Sequence, residues 1–276
     1  MSSVSLSLGE IERIRSRLWR TSPSRHIGGE RRALRLISEL GFVLIIPISG
    51  SEMPSMHGAT GEDWSTWWDW KQTLPQRRAC YYAKLLRNRG VFVSWERFPA
   101  FYAAYADGRP YWRLYREGLL DPDEKRVLDL LDANGPMMTR ALRLAFGPRS
   151  KENTRLVKQR LVGLQRRLLV CPAGGDTEGW SHHRWDLVDR WVPGDVLAEA
   201  RRTPREAAQL ALVRKHIQNM VATTAADIAW LFGWERRVVQ EMVGRLLAAG
   251  EAVRAFVPEM EGEAVVPLPF PGKASR

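Results

Sequence analysis

Residues 225–233 read Ala225-Ala226-Asp227-Ile228-Ala229-Trp230-Leu231-Phe232-Gly233, a short apolar helix stopped by a glycine. Residues 138–147 have the same shape and also end in Phe-Gly, at Phe146-Gly147. Longer helical patterns flank both stretches. Before 138–147, Asp121-Pro122-Asp123-Glu124 is a helix start with proline and acids in the first turn. Val127, Leu128, Leu130 and Leu131 then recur at helical spacing up to Asn134-Gly135-Pro136. Before 225–233, Thr203-Pro204-Arg205-Glu206 reads as a capping box opening a helix that runs to about residue 220.

The downstream patterns match as well. A helix over 153–167 carries Leu156, Val157, Leu161 and Leu164 on one side, and a helix over 235–249 carries Val239, Met242, Val243 and Leu246. Strand-like residues follow each, at 168–171 and 183–188 and at 252–257 and 264–268, separated by turn-forming stretches. Three helices followed by a β-hairpin is a winged helix, so the chain is expected to hold tandem copies over 121–192 and 193–276. Helices over 8–19 and 30–40 and an apolar strand over 42–46 suggest a degenerate third unit at 1–60. Residues 61–120 are expected to connect it to the others. The fold class is mainly α with small β-hairpins (α+β), built from tandem winged helix-turn-helix domains.

The 276 residues contain 42 Lys+Arg against 31 Asp+Glu, a net charge of +11. Residues 1–192 carry +10 of it. Of the cations 35 are Arg and 7 are Lys. An arginine fork suits phosphate and base edges, although an arginine-rich proteome accounts for the surplus equally well. The charge favours a polyanion, nucleic acid before an anionic membrane surface. The longest apolar run, Phe42-Val43-Leu44-Ile45-Ile46-Pro47-Ile48, falls well short of the roughly 20 residues that span a bilayer. The N-terminus shows no signal-peptide pattern. Cys80 and Cys171 are single and far apart, and His182-His183 would point to opposite faces of a strand. The expectation is a cytoplasmic monomer that spans no membrane and holds no metal or small-molecule cofactor.

DNA contacts are expected from three places. The third helix of a winged unit commonly enters the major groove; here it offers Lys151, Arg155, Lys158, Gln159, Arg166 and Arg167 in one copy and Arg236, Arg237, Gln240 and Arg245 in the other. The copy over 121–192 ranks first on charge. The N-terminal helices offer Arg13, Arg17, Arg31 and Arg35. The aromatic segment interleaves Lys71, Arg77 and Arg78 with Trp64, Trp67, Trp68, Trp70, Tyr81, Tyr82 and Trp95. Ring stacking on bases is worth about 1–3 kcal/mol per base, but most of these rings should form core.

Several short motifs in order make the chain resemble the AlkZ/YcaQ-type family of winged-helix DNA glycosylases. They are Leu40-Gly41-Phe42-Val43, Trp67-Trp68-Asp69-Trp70-Lys71 with Leu74-Pro75, Trp95-Glu96-Arg97-Phe98-Pro99, and the Asn134-Gly135-Pro136 turn. The resemblance spans nearly the whole chain. It implies a concave basic DNA-binding surface and excision of alkylated or cross-linked bases. The family positions the attacking water with Gln-apolar-Gln or Gln-apolar-Asp on the strand after the Leu-Gly. The matching residues here are Leu44-Ile45-Ile46, and aliphatic groups neither hold nor activate water. Met53 stands near the family's following basic residue, and His57 is displaced from its histidine.

The reading is therefore a protein that binds duplex or damaged DNA and lacks the usual catalytic pair. A second reading is an active glycosylase using another acid, Asp69 first, then Glu52, Glu62 or Asp63. An acid between tryptophans is open to desolvation, although a helix cap or ion pair is the commoner role. A third reading is a transcriptional regulator or protein-docking module.

Overall fold

The computed structural model describes residues 4–177 and 183–271; Met1 to Ser3 and His182 lie outside the described residues. In chain order, β1 (Val4–Ser5) and α1 (Leu8–Leu18) come first. A first unit then runs α2 (Glu30–Leu40), β2 (Phe42–Leu44), α3 (Met56–Ala59), α4 (Trp64–Trp67), α5 (Trp70–Gln76), β3 (Tyr81–Leu86) and β4 (Arg89–Val93). Helices α6 (Phe98–Tyr105) and α7 (Tyr111–Arg116) lead to a second unit: α8 (Pro122–Asn134), β5 (Met137–Met138), α9 (Thr139–Ala145), α10 (Lys151–Arg166), β6 (Val170–Gly175) and β7 (His183–Leu187). Helices α11 (Val188–Trp191) and α12 (Gly194–Arg202) lead to a third: α13 (Arg205–Met220), β8 (Thr223–Thr224), α14 (Ala225–Phe232), α15 (Arg236–Ala248), β9 (Ala252–Phe256) and β10 (Ala264–Pro267).

The three units share one sheet plan. In each, the short first strand pairs antiparallel with the last strand, which pairs antiparallel with the one between, giving the orders β2-β4-β3, β5-β7-β6 and β8-β10-β9. The molecule is mainly helical with small antiparallel sheets, the α+β class expected.

Two boundaries differ from the sequence expectation. A break at residue 60 cuts through the first unit, because Phe42 to Leu44 pair with Val91 to Val93. The segment 61–120 is thus no connector; its residues 64–93 supply two helices and the hairpin of that unit. Moreover, β1 and α1 belong to the third unit. Val4 pairs in parallel with Ala255, and Leu6, Ile11 and Ile14 share a core with Val221, Ala222, Ala255 and Val266. The buried Arg15 clamps this attachment: its guanidinium donates to the Met220 and Ala222 carbonyls at 2.7 and 2.8 Å and pairs with Glu52.

Local signals account for several helix ends. Asp121 caps α8 in a box with Glu124. Gly233, at φ 70°, ends α14 in the left-handed region where glycine is unstrained. The Thr203 box is a correction. Thr203 Oγ1 instead donates back to the Glu199 carbonyl at the end of α12, and α13 starts without a side-chain cap. The third unit's box is Thr224 with Asp227, on α14.

Most of the aromatic segment is core. Tyr81, Phe92, Phe98 and Phe101 are fully buried with Phe42, and Phe42 meets Phe101 edge-on at 5.3 Å. Trp64 and Trp112 remain more than half or half exposed, at 63% and 50%.

Candidate nucleic-acid interface

The strand that would carry the family's catalytic pair is β2 with the two residues after it. Leu44 is completely buried. Its N–H donates to the Pro54 carbonyl, and it is registered against Val91. Ile45 is buried too and donates to the Gly90 carbonyl, whereas Ile46 emerges 42% exposed. One position of the pair is therefore filled core and the other an apolar group facing solvent; neither can orient water. Of the neighbouring residues, Met53 is buried, Glu52 is engaged by Arg15, and His57 packs edge-on to Trp67 at 5.9 Å. The His57 Nδ1 is enclosed with no hydrogen-bond partner among the described residues.

Asp69 occupies the N-cap position of α5 without a side-chain cap bond, and it is half-buried. Two residues on, Lys71 Nζ sits 2.9 Å from the centroid of the Trp68 ring, enclosed and with no hydrogen-bond acceptor among the described residues. Burial pulls its pKa down to about 8, against the opposing pull of Asp69. Lys71 is thus no open phosphate contact, contrary to the sequence expectation. Trp68, three residues earlier, covers it, and at its far end α5 packs against β6 of the second unit. The approach is close enough that a Cβ on Gly174 would come 2.9 Å from Gln76 Cβ.

That packing is reciprocal. β6 of the second unit's hairpin lies on α5, the last helix of the first, and β3 of the first lies on α10, the last helix of the second. The buried Gln165 side chain accepts the Lys84 N–H at 3.0 Å across this junction. The exposed half of α10 still presents Arg155, Lys158 and Gln159. Burial lowers the Lys84 pKa first, and Lys158 and Arg89 lower it further, so these cations are gathered around one junction. In the third unit, α15 leaves Arg236 and Arg237 exposed, with Arg237 paired to Glu241 at 3.2 Å.

The remaining expected contacts are distributed over two units. Arg13 and Arg17 ride on α1 with the third unit, while Arg31 and Arg35 are exposed on α2 of the first. Arg77 is exposed and pairs with Glu30; Arg78 is exposed at the end of α5, its carbonyl accepting from Trp95 Nε1 at 2.7 Å.

A cleft of about 740 Å³ opens where the three units meet. The first contributes Arg87 and Asn88, the two-residue turn between β3 and β4, with φ of 48° and 61°. The second contributes Arg166 and Arg167 from the end of α10, and the third Arg205, Phe232 and Trp234. Arg167 is engaged, donating to the Leu119 carbonyl at 2.5 Å and lying 3.8 Å from Glu124. Arg87, Arg166 and Arg205 pair with no acid among the described residues. The Arg87 guanidinium lies over the Trp230 ring at 4.7 Å, and Arg205 donates to the Ala106 carbonyl at 3.0 Å. Trp234 stacks on Phe232 at 4.6 Å, and Tyr105 holds the Phe232 carbonyl at 2.9 Å. Chemically, the cleft offers forked cations for phosphate beside a ring for stacking.

The sequence singled out Arg166 as a candidate contact; Arg205 entered only as part of a cap, and Trp234 went unnoticed. Their only local signal was proximity to a helix end. The buried Ile45, just after β2, donates to the Gly90 carbonyl, three residues beyond Arg87. Among the described residues no group of three His, Cys, Asp or Glu side chains is placed to hold a metal, and no helix is long and apolar enough to cross a membrane.

Compared with known proteins, residues 28–233 match a family model described as AlkZ related. That span starts just before α2 and ends at Gly233, so it takes in the cleft from Arg87 onward except Trp234. Among solved structures, the DNA glycosylase AlkZ of Streptomyces sahachiroi superposes with a TM-score of 0.60 at 12% identity, covering 96% of this chain and 71% of that one. No curated protein matches the sequence.

Proposed function

The chain belongs to the AlkZ-related family, and from that premise we propose that it binds duplex DNA, damaged duplexes included, on a basic array of winged helices without excising a base. The observation that carries the reading is the cleft: arginines from all three units, Arg87, Arg166 and Arg205, converge there beside Trp234 without acids to neutralise them. The repeated sheet plan supports the winged-helix assignment, and the solved relative, a DNA glycosylase, makes DNA the ligand to test first. Each phosphate neutralised releases condensed counterions, so binding weakens steeply with salt.

The absence of excision follows from Leu44 and Ile46. Hydrolysis of the N-glycosidic bond needs a polar group to hold water against the sugar carbon once the base departs. Leu44 is sealed in the core and Ile46 is apolar. Exposed acids elsewhere do not replace them by position: Asp63 caps α4 through Ser65 and Thr66, and Glu52 is engaged by Arg15.

The test is a binding series with intact, alkylated and abasic duplexes, scored in parallel for abasic product. Binding at low salt with no abasic product is expected. Failure to bind any of the duplexes at low salt would sink the reading. Abasic product from the alkylated duplex would replace it with a glycosylase that uses another acid, and Asp69→Asn would then be the first variant to make.

A further inference from the structure

A second basic hollow, of about 320 Å³, lies at the turn between α9 and α10, on the second unit and separate from the cleft. The turn is stiff because one side chain ties it together. Asn153 Nδ2 donates to the carbonyls of Arg143, Gly147 and Pro148 at 2.9, 3.2 and 3.3 Å, and Ser150 Oγ accepts the Asn153 N–H at 3.0 Å. On this frame Arg140, Arg143 and Leu144 share a face of α9, at spacings of three and four, and Arg149 reaches in from the turn.

Three observations single this hollow out. Residues 139–154 hold four cations and one acid, Glu152, and no ion pair reaches Arg140, Arg143 or Arg149 among the described residues. The Arg143 Nε is enclosed without an acceptor, a donor already desolvated and unspent. Leu144, set among these cations, is 60% exposed, although an exposed leucine beside three arginines contributes nothing to the unit's own core. The positive end of the 16-residue α10 adds to the same field.

We infer that this hollow seats the sugar-phosphate backbone of DNA, with Arg140, Arg143 and Arg149 on successive phosphates and Leu144 against the deoxyribose between them. A lone small anion would leave Leu144 without a role. A backbone alternates charged and apolar faces, as the hollow does. The inference rests on the DNA-binding reading and adds a contact site outside the three-unit cleft. It contributes position and affinity rather than sequence choice.

The experiment follows binding of a short fluorescent duplex over a salt series for the full chain, for Arg140→Gln/Arg149→Gln and for Leu144→Asn. All three replaced side chains are exposed, and thermal melts check that folding is unchanged. The double variant is expected to bind about tenfold more weakly at low salt. Its plot of log affinity against log salt should be shallower by about 1.8, the value for two phosphate contacts. Leu144→Asn should weaken binding by about threefold and leave the slope alone, because no charge is removed. If the parent chain binds no duplex, the DNA reading itself falls. If the parent binds and the double variant keeps its affinity and slope, this site alone is overturned.

Discussion

The Lys84 main-chain N–H donates to the Gln165 side-chain oxygen at 3.0 Å, joining a hairpin of one unit to a helix of the next. Gln165 also donates to the Leu161 carbonyl of its own helix at 2.9 Å, so its amide is spent on both sides of the junction. The first two units therefore dock through satisfied polar groups as well as apolar packing.

Replacing Gln165 with leucine should keep the volume and remove the acceptor. The Lys84 N–H would then be left without its partner in a partly buried site, a loss of about 1–3 kcal/mol. Urea unfolding of the variant should show the midpoint falling by a corresponding amount. An unchanged midpoint would mean that water replaces the glutamine at no cost.

Leu44 and Ile46 should answer differently to polar groups. Leu44→Gln puts an amide into filled core and should cost about 1–3 kcal/mol. Ile46→Asp lies at a 42% exposed position and should stay within about 0.5 kcal/mol of the parent. Equilibrium unfolding of the two variants reads the difference directly. Equal costs would contradict the placement of Leu44 in the core.

In the cleft, Arg87→Gln and Arg205→Gln should each make the salt dependence of duplex binding shallower by about 0.9, and the double variant by about twice that. Titrations at several salt concentrations, compared with Arg237→Gln on α15, would show whether the cleft or the third helix of the third unit carries more phosphates. Slopes that change only for Arg237→Gln would move the binding surface away from the cleft.

Lys71 makes stability depend on alkaline pH. Its folded pKa of about 8 lies below the ordinary lysine value of 10.5, so the unfolded chain binds the proton more tightly. Folding is opposed by that group below about pH 8, and the opposition fades as pH rises from 8 towards 10.5. Lys71→Met should therefore be more stable than the parent at pH 7, and the gap should narrow by pH 9.5. Paired denaturation curves at the two pH values check this; a gap constant with pH would show that Lys71 is not desolvated in the folded protein.

Much of this protein was legible along the chain, and the legible part was local. The box of Asp121 with Glu124 and the stop at Gly233 depend on residues three or four apart, so periodicity and capping chemistry marked the later helices and hairpins well. That Leu44 and Ile46 cannot hold water needed no coordinates either, because side-chain type alone decides it. Tertiary structure decided what local pattern cannot encode. An unbroken apolar strand says that it is buried but not against which partner, so the pairing of Phe42 with Val93 and the capture of α1 by the third unit through Arg15 were not readable. The same limit hid the site. Lys71 reads as a cation beside aromatic rings, and only the folded packing, with the Trp68 ring over its Nζ, makes it a buried amine. Arg87, Arg166 and Arg205 are scattered over more than a hundred residues, and they line one cleft only because three units, each folding on local rules, pack around a common centre.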